Sequence, residues 1–179
     1  MTEVQTYDWL AKTTADGTSS SVTIDKINQS YKCLVVTADM ETNSSSSGIS
    51  FSFKINGQTA ANYSYIMSYG TSSGSYFTGS DTSGSGLASF SNGTSSGNTN
   101  ANTEDGMVWA WIPYYAEANL QKMMGGYAVG AGSSSSNMYH SRFALTYKPL
   151  LAAVTSLSWC QDNGSNITSG CEFNIWGLR

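Results

Sequence analysis

The segment Ile49–Ile55 alternates strictly between apolar and polar residues, and it is the feature that most narrows the folds open to this chain. Every odd position is apolar and every even position is polar, which is the period of a β-strand with one buried and one wet face. Asn56-Gly57 follows directly. Because this dipeptide readily adopts positive φ at both positions, it predicts a tight hairpin turn, with Asn62–Tyr69 as the returning strand.

Short runs of β-branched and aromatic residues recur along the rest of the chain, separated by clusters of glycine, serine and asparagine. This pattern is typical of a β-sandwich or barrel, so the sequence predicts an all-β fold. Tyr114–Met124 is compatible with one or two helical turns, but a strand edge or an excursion is favoured there. The further predicted strands are Val22–Ile27, Tyr31–Ala38, Met107–Ile112, Gly126–Gly130, Met138–Tyr147, Ala153–Cys160 and Cys171–Trp176.

The length of 179 residues predicts one domain, which we place at residues 21–179. Residues 1–20 are mostly polar and are predicted to form an N-terminal arm. Its segment Tyr7–Leu10 is expected to pack on the domain's own sheet; docking on a neighbouring subunit is the alternative. Residues 70–106 are rich in glycine and serine and are predicted to be loops. Because long structureless loops are uncommon in compact domains, Tyr76-Phe77 and Leu87–Phe90 are expected to form short strands within them. Gly125-Gly126 is a further loop signal.

The surface is expected to be polar but nearly uncharged, because only 11% of the residues are charged, against about 25% in an average domain. Such a surface gives little electrostatic protection against association, which suits a protein held in a fixed assembly. No run of lysine or arginine exists, so nucleic acid is not an expected partner. No stretch approaches the roughly 20 apolar residues of a membrane helix, and Met1–Gln5 lacks the features of a secretory signal. Neither a membrane partner nor export is therefore expected.

The sequence offers few groups for acid–base chemistry. His140 is the single histidine and lies in a predicted strand, where a structural or surface role is favoured over catalysis. The acidic residues show no convincing catalytic pair, and Asp162–Asn166 is primarily a turn sequence rather than a calcium site. We therefore expect no enzyme activity, no metal and no cofactor. The carboxylates considered are Glu104, Asp105, Glu117, Asp162 and Glu172.

The three cysteines, Cys33, Cys160 and Cys171, form no Cys-x-x-Cys pair, which argues against a zinc site. Each lies in an apolar run and is predicted to be a small buried side chain. A Cys160–Cys171 disulfide across the last hairpin is the alternative.

Aromatic side chains are the candidates for a binding surface, since exposed tryptophan and tyrosine are typical interface anchors. Trp109 and Trp111 are two residues apart in a predicted strand, so they share one face. Three interpretations stay open for them: core packing, an aromatic platform for sugars, and a contact surface between subunits. The candidate interface residues are Tyr7, Trp9, Leu10, Tyr76, Phe77, Trp109, Trp111, Tyr114 and Tyr115.

The C-terminal pattern resembles the closing hairpin of many small virion proteins of tailed phages. It consists of Val154–Trp159, a short turn with Asn163-Gly164, and Ile167–Leu178, with Trp176 where the family pattern has tyrosine. The resemblance extends more weakly upstream to about Tyr31. It implies an antiparallel β-sandwich of the jelly-roll type.

The same resemblance implies a structural role in the virion, which is assembled in the host cytoplasm. The expected function is that of a capsid decoration (cement) protein or minor structural protein, with the major capsid protein or other virion proteins as partners. Such proteins are often trimers, so a homotrimer is expected. The alternative function is a tail-fibre or receptor-binding module that binds carbohydrate.

Overall fold

The computed structural model of the protein describes residues 6–41, 50–58, 63–71, 76–84, 90–91, 106–131, 138–147, 152–161 and 165–179. These residues form twelve β-strands, and every strand pairing among them is antiparallel. The strands are β1 (Tyr7–Thr14), β2 (Ser21–Ile24), β3 (Cys33–Asp39), β4 (Ser50–Ile55), β5 (Tyr63–Thr71), β6 (Tyr76–Gly84), β7 (Phe90–Ser91), β8 (Gly106–Pro113), β9 (Lys122–Ala131), β10 (Met138–Tyr147), β11 (Leu157–Gln161) and β12 (Glu172–Leu178).

The described strands form two sheets that enclose one hydrophobic core. The larger sheet has the strand order β1-β12-β3-β8-β9-β10-β5-β6, and the smaller has the order β2-β11-β4-β7. The sheets meet at rings such as those of Phe53 on β4 and Phe173 on β12, whose centroids are 6.3 Å apart. The predicted all-β, antiparallel β-sandwich of the jelly-roll type is confirmed.

Trp159 on β11 lies at the centre of the contact between the two sheets. Its ring stacks on Phe51 at a centroid distance of 5.0 Å and packs against Phe53 at 4.7 Å. Its indole N–H donates a hydrogen bond of 3.0 Å to the carbonyl oxygen of Asp39, which belongs to the larger sheet. Phe51, Phe53 and Ile55 are fully buried, as the alternating pattern predicts, but Ser52, which was predicted to lie on a wet face, is fully buried too.

The turn at Asn56-Gly57 forms, but it does not join a hairpin. Both residues have positive φ, 51° and 68°, as the dipeptide predicts. However, β4 belongs to the smaller sheet and β5 to the larger one, so the chain crosses between the sheets at this turn. The predicted hairpin is wrong because period-two alternation identifies a strand's buried face and carries no information about its partner. The strand β4 pairs with β11 and β7, and β5 pairs with β10 and β6.

The predicted closing hairpin is wrong for the same reason, since β11 and β12 lie in different sheets. All three cysteines are free thiols, so the alternative of a Cys160–Cys171 disulfide is not formed. Cys160 and Cys171 are buried, as predicted, and Cys33 is half-buried. Burial raises the pKa of the Cys33 thiol.

Residues 7–14 form the edge strand β1 of the larger sheet, which is the predicted packing of Tyr7–Leu10 on the domain's own sheet. They pair with β12 along their whole length, with one bulge between Trp9 and Ala11. Two ion pairs join the strand to the C-terminal segment, Lys12 to Glu172 at 2.6 Å and Asp8 to Arg179 at 3.0 Å. Residues 1–5 lie outside the described residues.

The connection between β8 and β9 is a series of turns, as the favoured interpretation of Tyr114–Met124 predicts. The buried side chain of Lys122 stabilises this connection, because its Nζ donates hydrogen bonds to the carbonyl oxygens of Glu117 and Leu120. Desolvation lowers the pKa of its ammonium group. The loop is thereby held against the start of β9, which fixes the β8–β9 pair.

Tyr63 fastens the crossing turn to the start of β5. Its buried hydroxyl accepts a hydrogen bond of 3.0 Å from the Ile55 N–H and donates one of 3.2 Å to the carbonyl oxygen of Gln58. Its ring packs on Tyr147 at a centroid distance of 5.1 Å. Burial raises the pKa of the Tyr63 hydroxyl to about 12.

The free energy of unfolding is expected to fall as the pH rises from about 10 to about 12. The unfolded state releases the Tyr63 proton near its ordinary pKa of about 10, whereas the folded state retains it to higher pH. The free energy of unfolding therefore falls by about 2 to 3 kcal/mol across this range. Urea unfolding at a series of pH values measures the effect. Tyr63→Phe is the control and is expected to show a shallower pH dependence; equal slopes in both proteins would contradict the assignment.

Candidate functional site

The outer face of the larger sheet carries a row of apolar residues at one register level. Directly paired residues point to the same face, so the pairings define the row strand by strand. It faces away from the core, since its neighbours along the strands, such as Ile175 and Val36, are fully buried. We call this set the outer row: Trp9, Trp176, Val35, Trp111, Gly125, Ala144 and Ile66.

Three aromatic rings form a ridge at the middle of this face, which we call the ring cluster: Trp109, Trp111 and Tyr127. The Trp109 ring lies 5.1 Å from Trp111 and stacks on Tyr127 at 5.3 Å. The predicted shared face of Trp109 and Trp111 is confirmed. It is the outer face, and Trp111 is 39% exposed, so core packing is wrong for this pair.

Gly125-Gly126 lies within β9 rather than in the predicted loop. A Cβ at Gly125 would lie 3.1 Å from the ring of Trp111 on the outer face, and a Cβ at Gly126 would lie 2.6 Å from the ring of Phe143 on the inner face. The loop prediction is wrong because these rings cover the strand from both sides and replace the packing that glycine lacks. Gly125 also leaves the outer row without a side chain at one position.

Two grooves flank the ring cluster. The first has a volume of about 450 Å³, and its lining includes the small residues Gly125 and Ala144 and the larger side chains of Trp111, Ile66 and Met123. The second has a volume of about 260 Å³ and lies on the other side of the cluster. Its lining residues are Tyr7, Val35, Thr37, Trp109 and Trp176.

The outer face exposes an unusually large apolar area. Trp9 and Ile66, at the two ends of the outer row, are each 63% exposed. A large aromatic side chain has an area of roughly 150–250 Å². Summed over the eight exposed apolar residues of this face, which are 39% to 63% exposed, the exposed area is on the order of 1,000 Å². The largest patch on a typical monomer is about 300–600 Å². Other exposed apolar residues on this face are Tyr7, Met107, Trp111, Met123, Tyr127 and Val129.

Charged side chains are few on this face. Arg142 is exposed beside the ring cluster, where it pairs with Tyr127, and Asp39 pairs with Met107 at one end of β8. Lys12 and Glu172 neutralise each other at the β1 side. The face is therefore mainly apolar and suited to apolar contacts.

The remaining interface candidates differ in their exposure. Tyr7 and Trp9 are exposed on β1, and Leu10 packs partly against the core. Tyr114 is exposed in the turn after β8, with a φ of 51°. Tyr115 is fully buried and donates a hydrogen bond from its hydroxyl to the carbonyl oxygen of Asn28, so its prediction as an interface residue is wrong.

Two other candidates, Tyr76 and Phe77, begin β6, and their side chains lie outside the described part of the structure. Leu87, Glu104, Asp105 and residues 162–164 lie outside it altogether. His140 is exposed on β10. Among the described residues, no cluster of three or more histidine, cysteine or acidic side chains is placed to hold a metal ion. The same residues include no helix of the length and apolarity that crossing a membrane requires.

Sequence reasoning missed several residues of this face, including Trp176, Tyr127 and Ile66. The sequence contains a signal that Trp176 takes part in a contact, because β12 is apolar on both faces. Phe173 and Ile175 lie on the inner face, and Trp176 and Leu178 lie on the outer face. A strand that is apolar on both faces predicts contacts on both sides.

No protein-family model matches the sequence, and no curated protein does either. Among solved structures, the chain is similar to galectin LEC-6 of Caenorhabditis elegans, with a TM-score of 0.30 and 8% sequence identity over 94% of this chain and 95% of that one. A likeness at this level assigns no function.

Proposed function

We propose that this protein is a non-enzymatic structural subunit of a phage virion, and specifically a decoration (cement) protein that stabilises the shell of major capsid protein. The observation that carries the proposal is the outer row with its ring cluster, an apolar face broader than a monomer in solution ordinarily exposes. The low charge of the chain supports the same role, because it favours association in a fixed assembly.

The physical basis of such a role is linkage. A protein that binds only the assembled shell stabilises it by mass action, by about 2.7 kcal/mol per site at a free concentration of 100 times Kd. Contacts between subunits through the apolar outer face suffice for this, and no chemical step is needed. The protein would act in the virion, after assembly in the host cytoplasm.

Carbohydrate binding at a fibre tip is the second candidate. It is favoured by the open grooves beside the ring cluster, because aromatic rings stack on the apolar faces of sugars. The first groove offers few hydrogen-bonding side chains, with Ser64 and Thr146 at its margin. A sugar site needs convergent polar groups to orient its ligand, so contact between subunits fits this face better.

Particles that carry the protein are expected to withstand a higher temperature than particles assembled without it. Genome release during a temperature ramp measures the difference. The double variant Trp109→Ala/Trp111→Ala is expected to remove most of the stabilisation, because it deletes the centre of the apolar face. Tyr114→Ala is the matched control, since it removes an exposed aromatic side chain that lies outside the face.

Equal heat resistance with and without the protein would count against a decoration role. The carbohydrate alternative predicts sugar-dependent quenching of the tryptophan fluorescence that is lost in the double variant. A glycan array without hits would weigh against that alternative.

A further inference from the structure

We propose that Arg142 on β10 binds an acidic side chain of the major capsid protein, so that the contact made by the outer face is apolar with one ion pair inside it. The inference rests on the proposed function and deepens it, because it names the chemical group that the partner presents to this face.

Arg142 lies within the apolar area of the outer face. Its side chain is exposed, and its direct pairing partners are Tyr127 on β9 and Ser68 on β5. The strands β9 and β5 border β10 on opposite sides, and each carries an exposed apolar residue next to Arg142. These are Tyr127, which is 45% exposed, and Ile66, which is 63% exposed. A partner that covers both of them therefore also covers the guanidinium group.

The acidic groups of the protein do not neutralise this cation. Within the described part of the chain, the ion pairs are those of Lys12 with Glu172 and of Asp8 with Arg179, at the β1 edge. Asp39 lies on β3, three strands from β10, and its carboxylate accepts a hydrogen bond from the Glu172 N–H. Three strand spacings are roughly 14 Å, which is longer than the screening length of about 8 to 10 Å in ordinary buffers. The charge is therefore available to a partner.

An entirely apolar partner surface would oppose binding at this point. A guanidinium group that is removed from water without a counter-ion loses its hydration and gains nothing in return. A carboxylate placed opposite it accepts two parallel hydrogen bonds from the planar group, which offsets the desolvation. Ser68 adds a hydroxyl group beside Arg142 on the same face. We therefore expect an aspartate or glutamate of the capsid protein opposite Arg142, surrounded by apolar residues.

Co-sedimentation of the purified full chain with particles assembled without it measures the Kd. Arg142→Met removes the charge and keeps a long apolar side chain, and Arg142→Glu reverses the charge. We expect Kd to rise at least about tenfold for Arg142→Met and about a hundredfold for Arg142→Glu, because a buried carboxylate loses its partner. Circular dichroism verifies that each variant is folded.

Lys26→Met is the matched control. It makes the same change of charge at an exposed residue that follows β2 of the smaller sheet. Its Kd is expected to change less than about twofold, because an exposed charge distant from the contact is screened by salt.

The direction of the Arg142→Met effect distinguishes the two kinds of partner surface. Opposite a carboxylate, loss of the cation weakens binding. Opposite a neutral apolar surface, the same substitution removes a desolvation cost and strengthens binding. An unchanged or lower Kd for Arg142→Met overturns the inference.

Carbodiimide cross-linking identifies the acidic residue. Arg142→Lys keeps the positive charge and supplies an amine, which carbodiimide joins to a contacting carboxylate as an amide. Mass spectrometry of particles that carry this variant is expected to show a link from position 142 to an aspartate or glutamate of the capsid protein. Absence of such a link overturns the inference.

Failure of the proposed function gives a different result. A wild-type chain that does not bind the particles overturns the decoration role and this inference together. A wild-type chain that binds them no more tightly than Arg142→Met does overturns this inference alone.

Discussion

Replacing Trp159 with alanine is expected to lower the free energy of unfolding by about 4 kcal/mol, close to the upper end for a large buried aromatic side chain. The substitution removes the ring that packs between Phe51 and Phe53 at the contact of the two sheets. It also leaves the carbonyl oxygen of Asp39 without the indole N–H that donates to it. Urea unfolding followed by circular dichroism measures the loss.

Trp9→Ala is the matched control for this prediction, because it makes the same substitution at an exposed edge-strand position. Its cost is expected to stay within roughly 0.5 kcal/mol, as for most surface substitutions. Trp159→Phe keeps an aromatic ring but loses the N–H, so its loss of unfolding free energy is expected to lie between those of Trp159→Ala and Trp9→Ala. It replaces Trp159→Ala in the comparison if the alanine variant fails to fold. Similar losses for Trp159→Ala and Trp9→Ala would contradict the placement of Trp159 in the core.

Gly126→Ala is expected to cost about 3 kcal/mol, the upper part of the range for overpacking. An added Cβ would lie 2.3 Å from the carbonyl oxygen of Trp109 and 2.6 Å from the Phe143 ring. The nearer of these atoms belongs to the backbone of the neighbouring strand, so a rotamer change cannot relieve the contact. The strands β8 and β9 must move apart, which disturbs the ring cluster. Thermal unfolding measures the loss.

Gly125→Ala is the control, since it makes the same change at the next residue of the same strand. The added Cβ meets the edge of the Trp111 ring at 3.1 Å, a side-chain contact on an open face that can yield. We expect a cost below about 1 kcal/mol, because Trp111 has room to tilt. If the two variants were equally stable, the assignment of the glycines to opposite faces would be wrong.

The sequence predicts individual strands well and their arrangement poorly. Alternation in Ile49–Ile55 correctly identified the buried side of β4, because that pattern follows from burial of one strand face. The turn at Asn56-Gly57 was also predictable, since its positive φ values follow from local sterics. The sheet that each strand joins depends on contacts distant in sequence, and neither signal contains them.

The candidate site was predictable only in part. Trp109 and Trp111 were correctly placed on one face of their strand. Whether that face lies in the core or at the surface depends on which face of β8 is buried. Here the opposite face is buried, because Val108, Ala110 and Ile112 lie in the core. The groove was not predictable, because Gly125 was interpreted as a loop residue. Only the rings packed on both sides of β9 explain a glycine pair at mid-strand.

The central claim is that the outer face of the larger sheet is a contact surface between subunits. Hydroxyl-radical footprinting tests it most directly, because tryptophan, tyrosine and methionine side chains report their own exposure by mass spectrometry. The protein is labelled in assembled particles and as a dilute monomer, with Tyr114 as the internal reference. We predict that labelling of Trp111, Met123 and Tyr127 falls several-fold in particles while that of Tyr114 changes little. Equal labelling of these residues in both states would contradict the claim.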